Sequence, residues 1–183
     1  MAQTPDRILD ELLVIGCQRG DLKAFEQLVA RWHDRLKNHA WHLTGDSDAS
    51  SEIVQDVWVE IVRTVRRLRE PTSFRGWAFR IVSNKSADWI RRASRQRTLN
   101  SELARRHDDH VNNSESDGRG SDLQSVLQGL PEVSRQILSL KYLDNLSIQE
   151  IAEALNIAVG TVKSRLFHAR ERLRQSIERK SNE

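Results

Sequence analysis

Between Ser147 and Arg174 the chain repeats apolar residues at three- and four-residue spacing in two runs, with one polar break between them. Ile148, Ile151, Ala152 and Leu155 make the first stripe; Val159, Val162, Leu166, Ala169 and Leu173 make the second. That period belongs to helices with one buried face, because residues three and four apart stack on the same side. Ser147 followed by Glu150 is a capping box, in which each side chain satisfies a backbone donor that a helix start leaves open. Asn156-Ile157 supplies the polar break and then a buried anchor, the pattern of a helix-turn-helix. The two stripes can pack on each other. Thr161, Lys163, Ser164, Arg165, Phe167 and His168 then lie on or near the opposite side, where the second helix of such a unit meets the major groove of DNA. DNA binding is the expectation.

Charge has to be read by position. A net charge of +3 over 183 residues argues for nothing by itself. Residues 63–97, however, hold eleven Arg or Lys against Glu70 and Asp88, and residues 163–180 hold seven against Glu171 and Glu178. Two separated basic segments can each face a phosphate backbone. The single cysteine, Cys17, excludes an intramolecular disulfide framework and suits a reducing compartment. It sits in the run Leu12–Cys17, too short and too acidic in its flanks for a signal peptide or membrane span. A cytoplasmic protein is expected.

No period-2 pattern persists, so the fold class is all-α. Asp6–Cys17 predicts a first helix, and Gly20-Asp21 closes it and caps the next. That second helix carries Leu22, Phe25, Leu28, Val29, Trp32, Leu36, Ala40 and Leu43 in register. Gly45–Asp48 predicts a turn and cap. A third helix follows with Ile53, Val54, Val57, Trp58, Ile61, Val62, Val65 and Leu68, and Glu70-Pro71 breaks it. A fourth runs from about Phe74 to Arg95. Residues 100–121 are polar and nearly free of large apolar groups, the composition of a segment that cannot offset its ordering entropy. Order resumes with Leu123, Val126, Leu127 and Leu130, and a helix from Glu132 to about Leu143 precedes the helix-turn-helix. The expectation is two small helical domains, residues 1–97 and 122–183, joined by a flexible linker at 98–121.

The stretch Leu130–Arg170, above all Val159-Gly-Thr-Val-Lys-Ser-Arg165, closely resembles region 4 of bacterial RNA polymerase sigma factors of the extracytoplasmic-function type. Gly20–Val29 resembles the opening of region 2 in the same family. Ile53-Val-Gln-Asp-Val-Trp58 resembles its polymerase-binding segment, and Phe74–Arg92 its promoter-melting segment. Both halves stand in the family's order.

The resemblance implies a transcription initiation factor that binds core polymerase, through the clamp coiled coil of its largest subunit and its flap, and directs it to promoters. Region 4 would read duplex DNA at the −35 element through Thr161, Lys163, Ser164, Arg165, Phe167 and Arg170. Lysine can donate to guanine, serine to several acceptors, and phenylalanine can touch a thymine methyl. Phe167 packed in the domain core is the competing assignment; Arg172 and Arg174 can equally form a solvated face. Region 2 would capture the separated −10 strand through Phe74, Arg75, Trp77, Arg80, Ile81, Asn84, Lys85 and Arg91. Holding single strands takes a basic track with interleaved aromatic or apolar groups, and the Glu70–Gly76 loop would pocket a flipped base. Trp77, Ile81 and Trp89 share a helical face, so core packing competes with DNA contact there. Ile53, Gln55, Asp56 and Glu60 would dock on the clamp, with solvated helix-face charges as the plain alternative for Asp56 and Glu60.

Metal and enzyme readings find little support. His39-x-x-His42 with His33, and His107-x-x-His110, lack a thiolate cluster or a third fixed ligand. No glycine-rich phosphate loop, nucleophile elbow or zinc-protease motif is present in the sequence. No cofactor is expected, since strand opening draws on binding free energy. An anti-sigma factor is a further partner by family analogy. The rival reading, a free-standing helix-turn-helix regulator on operator DNA, leaves Gly20–Arg97 without a task.

Overall fold

The computed structural model of the protein describes residues 5–104 and 129–181, and among these residues the secondary structure is helical, with no strand. The first lobe comprises α1 (Pro5–Gln18), α2 (Leu22–Thr44), α3 (Ser47–Thr64) and α4 (Phe74–Ala104). The second comprises α5 (Glu132–Leu138), α6 (Ile148–Leu155) and α7 (Val159–Ser181).

Local chemistry sets the helix ends. Gly20 and Gly45 take left-handed φ angles of 87° and 74°, which glycine adopts without a Cβ penalty. Asp21 then caps α2 by accepting from the Lys23 and Ala24 amides, and Asp46 caps α3 by accepting from Ala49. Between α3 and α4 the chain makes two short 3-10 turns, Val65–Arg67 and Pro71–Ser73. Gln18 at the end of α1 steadies the first of them, its Nε2 donating to the carbonyls of Val65 at 3.1 Å and Leu68 at 2.7 Å. The loop leading into α4 is therefore tied to α1.

The first core forms where α2 meets α3 and α4. Leu28, Trp32 and Leu36 of α2, Ile53, Val57 and Ile61 of α3, and Phe74, Phe79 and Val82 of α4 are all buried. Trp32 meets Phe74 and Phe79 edge-on, with ring centroids 5.5 and 6.2 Å apart. Each such side chain contributes roughly 1.5–3 kcal/mol by leaving water. The same buried cluster continues through the second lobe as Ile137, Leu138, Leu140, Leu146, Ile151, Val162, Leu166 and Ala169.

Several expectations need correcting. Helix α4 continues to Ala104, seven residues into the segment expected as linker. Residues 98–104 contain no Gly or Pro, and extending an existing helix is far easier than starting one. The rest of that linker, together with Leu123, Val126, Leu127, His107 and His110, lies outside the described residues. The helix expected to run to Leu143 is α-helical only to Leu138; residues 139–143 form a wider π turn closed by the Asp144 amide donating to the Ser139 carbonyl at 3.0 Å. Leu22, Val62 and Val159, assigned to packed faces by periodicity, are exposed. Among the described residues no helix is long and apolar enough to cross a membrane.

Candidate nucleic-acid interface

The second lobe presents one helix end to solvent. Ser147 Oγ accepts from the Glu150 amide at 3.2 Å while Glu150 Oε2 accepts from the Ser147 amide at 2.7 Å, so both halves of the capping box form. Asn156 then turns the chain in the left-handed region at φ 51°, and α7 starts three residues later. Val162, Leu166 and Ala169 hold α7 to the core. At 100° per residue, Ser164, Phe167 and His168 stand opposite that buried face; Lys163 and Arg170 lie on one flank and Arg165 on the other. Thr161, Lys163, Ser164, Arg165, Phe167 and Arg170 are all exposed. Phe167 is 58% exposed, so the alternative that it fills the core does not occur. Arg170 Nε donates back to the Leu166 carbonyl. Arg172 donates to Ser134 Oγ at 3.2 Å, pinning α7 to α5, and Arg174 pairs with Glu178 at 2.9 Å. Those two arginines serve the lobe itself.

The first lobe is arranged differently. Of the residues expected on the single strand, Phe74 and Ile81 are buried in the core, and Ile53 of the polymerase set is buried with them. Phe74 meets Trp32 of α2, and Ile53, although buried, borders the cleft between α3 and α4. Trp77 is half-buried against the core, its ring 6.0 Å from Phe74, and Trp89 is also packed there. Past Ile81 the outer face of α4 opens. Asn84, Asp88, Arg91 and Arg95 form an exposed stripe, while Lys85, Trp89 and Arg92 line a cleft of about 370 Å³ against Glu52, Ile53 and Asp56 of α3. Lys85 pairs with Glu60 at 3.1 Å, and Arg91 with Asp88 at 2.5 Å. The groups expected for DNA and for polymerase therefore border one groove.

On α3, Gln55 and Asp56 are exposed and Glu60 half-buried. Residue spacing missed two neighbours, Val59 and Val62, which are 49% and 54% exposed. With Gln55 they make an apolar-edged stripe on the outer face of α3. Apolar periodicity assigned Val62 inward; its place at the end of a two-sided apolar helix hid the signal.

The start of α4 is covered by the second lobe. Arg75 donates to the carbonyls of Asp144 at 2.5 Å and Asn145 at 3.3 Å, and its guanidinium lies 3.8 Å from Glu150 Oε1 and 6.0 Å from the Trp32 ring. Burial pushes the Arg75 guanidinium below its ordinary value, with Glu150 opposing. Arg7 of α1 reaches Glu150 at 2.6 Å. Burial pushes the Glu150 carboxyl up, but hydrogen bonds from Ser147 and the charges of Arg75 and Arg7 outweigh it and hold it below its usual value. His39, fully buried on α2, sits 2.6 Å from Asp144 Oδ2 and 3.1 Å from Ser83 Oγ. That placement removes His39 from any pairing with His42, and no group of three or more His, Cys, Asp or Glu among the described residues is set to hold a metal. A cavity of about 430 Å³ remains at the seam, lined in part by Pro71, Thr72, Phe74 and Arg75 of the expected base-pocket loop.

Comparison with known proteins gives both lobes counterparts. A family model described as Sigma-70 region 2 matches residues 28–96, and one described as Sigma-70, region 4 matches residues 121–173. The ECF RNA polymerase sigma-E factor of Haemophilus influenzae is 27% identical over 94% of this chain and 97% of its own length. The ECF RNA polymerase sigma factor SigE of Mycolicibacterium smegmatis is 30% identical over 88% of this chain and 65% of its own length. The solved structure of CnrH in complex with the cytosolic domain of CnrY superposes with a TM-score of 0.70 at 29% identity, covering 93% of this chain and 97% of that one. RpoE from Bartonella quintana, solved with the anti-sigma factor NepR, shares the fold at a TM-score of 0.68 and 22% identity, over 86% of this chain and 98% of that one.

Proposed function

This chain belongs to the sigma-70 family as an extracytoplasmic-function sigma factor, and from that premise we propose how its residues divide the work of directing core RNA polymerase to promoters. The second lobe reads the −35 duplex. Ser164 and Phe167 face the base edges from the crown of α7, and Lys163, Arg165 and Arg170 reach phosphates or groove edges from its flanks. The first lobe holds the separated −10 strand along α4, with Arg80, Asn84, Lys85 and Arg91 as its polar track and Arg75 and Trp77 joining where α4 begins. Gln55, Asp56 and Glu60, with the exposed Val59 and Val62, dock on the polymerase clamp. Ile53 is removed from that set because its side chain is buried.

One observation carries this reading. A single chain presents exposed Ser164 and Phe167 flanked by exposed Lys163, Arg165 and Arg170 on a helix-turn-helix and, on a separate helix, an exposed track of Asn84, Arg91 and Arg95 beside a cleft with α3. The family matches give the first lobe a task, which the free-standing regulator reading lacked. We assign the functional units to residues 1–97 and 122–183, with 98–121 between them, and a cytoplasmic location. CnrH was solved with a protein partner, which supports a similar role for an anti-sigma factor here. The geometry calls on binding energy, and no residue is given a catalytic role.

The test is reconstitution with core polymerase followed by footprinting on genomic fragments. A stable complex protecting paired −35 and −10 sites is expected. Failure to associate with core polymerase overturns the reading.

A further inference from the structure

We propose that the cleft between α3 and α4 is a nucleotide subsite, taking one base that bears an exocyclic amino group together with its phosphate. This subsite rests on the assignment of α4 to the −10 strand and adds a base preference to it. Its own support is the way the cleft keeps its charges apart. Glu52, Asp56 and Glu60 follow at four-residue spacing along α3, and Lys85, Trp89 and Arg92 face them from α4, with Arg95 one turn further on. Glu60 and Lys85 close on each other at 3.1 Å, and Arg91 turns aside to Asp88 on its own helix. Among the described residues, no ion pair joins Glu52 or Asp56 to Arg92 or Arg95. All four are exposed and line the same space of about 370 Å³.

Unlike charges held across a cleft without pairing leave acceptors on one wall and donors on the other. A ligand that fits needs hydrogen-bond donors on one edge and negative charge on the opposite one. An acidic peptide is repelled by Glu52 and Asp56, and a basic one by Arg92 and Arg95. A nucleotide satisfies both walls: its exocyclic amine donates to a carboxylate, and its phosphate takes a guanidinium fork. Trp89, half-buried against the core, adds aromatic surface for the base, and Ile53 adds an apolar wall. The carboxylates set the selection. Adenine, cytosine and guanine each carry an amine, whereas thymine presents carbonyl oxygens that a carboxylate repels. Trp89 lies thirteen residues past Gly76, so the subsite is about 20 Å along α4 from the Glu70–Gly76 loop and serves a different nucleotide.

The test uses reconstituted holoenzyme and a panel of −10 non-template oligonucleotides. Each position in turn carries adenine, cytosine, guanine, thymine or an abasic sugar, and affinity is read by competition. At one position the amino-bearing bases should bind about ten-fold more tightly than thymine or the abasic sugar. Two variants then divide the walls, and both residues are exposed, so neither replacement empties the core. Glu52 represents the acidic wall, since Asp56 also belongs to the docking set. Glu52→Ala should bring the difference at that position within about two-fold and leave preferences elsewhere as in the parent. Arg92→Ala should weaken all bases alike, keep the preference, and reduce the salt slope of strand binding by about 0.7. Absence of any such preference, or one that Glu52→Ala leaves unchanged, overturns the subsite. An Arg92→Ala variant with parental affinity and salt slope overturns it as well. If Glu52→Ala instead weakens association with core polymerase and keeps the preference, the cleft is a protein contact. Strand binding indifferent to alanine at both Arg80 and Asn84 is a separate readout, and it overturns the assignment of the strand to α4 and the subsite with it.

Discussion

The starts of α7 and α4 are both basic helix ends assigned to DNA, yet they are presented in opposite ways. At α7 every assigned residue stands in solvent, and none of the ion pairs among the described residues engages Lys163 or Arg165. At α4 the first assigned residue is core, the second is bound to the other lobe, and exposure begins only at Asn84. The tasks explain the difference. A duplex presents a fixed groove, and a rigid crown can be complementary to it in advance. A separated strand has unstacked bases and flexible phosphates, so its holder needs apolar surface and charge that would attract other partners when left bare. The helix face assigned to the duplex is exposed throughout, whereas the one assigned to the strand is covered where it begins and exposed beyond Ile81.

That contrast can be broken at graded points. Ile53→Ala should cost about 2–5 kcal/mol of stability, because the side chain fills the first core; a thermal melt reads it, and an unchanged melt with weakened polymerase binding would restore Ile53 to the docking surface. Val62→Glu should leave the melt within about 0.5 kcal/mol, since the position is exposed, while reducing association with core polymerase at least ten-fold in a competition assay. Phe167→Ala should cost roughly 1–3 kcal/mol of −35 binding and relax the preference at one base pair, without a change in strand opening. Removing the flank cation in Arg170→Ala should weaken all sequences alike and reduce the salt slope of duplex binding by about 1. The last two separate the crown of α7 from its flank.

Much of the fold is legible because its helix ends rest on local chemistry. Gly20-Asp21, Gly45-Asp46 and the Ser147–Glu150 box need no tertiary information to announce a stop or a cap. The crown of α7 is legible for the same reason, as the register of Val162, Leu166 and Ala169 fixes which residues face outward. Periodicity fails where a helix is enclosed on more than one side. Helix α4 is flanked by α2, α3 and α6, so Phe74 and Ile81 carry no mark that separates core from contact, and Val59 and Val62 look like core residues on a helix apolar around much of its girth. The seam itself is invisible in sequence. His39 and Asp144 are 105 positions apart, and neither belongs to a local pattern that would pair them.

The most direct test of the division of labour is strand opening by reconstituted holoenzyme, followed through a fluorescent base in the −10 element. Replacing Arg80 and Asn84 together by alanine removes two polar groups from the strand track and leaves α7 untouched. Losing two such contacts, each worth roughly 1–3 kcal/mol, should slow opening by about 30-fold or more while −35 protection in a footprint persists. Opening at the parental rate, or loss of −35 protection along with opening, would contradict the assignment of the strand to α4 and the duplex to α7.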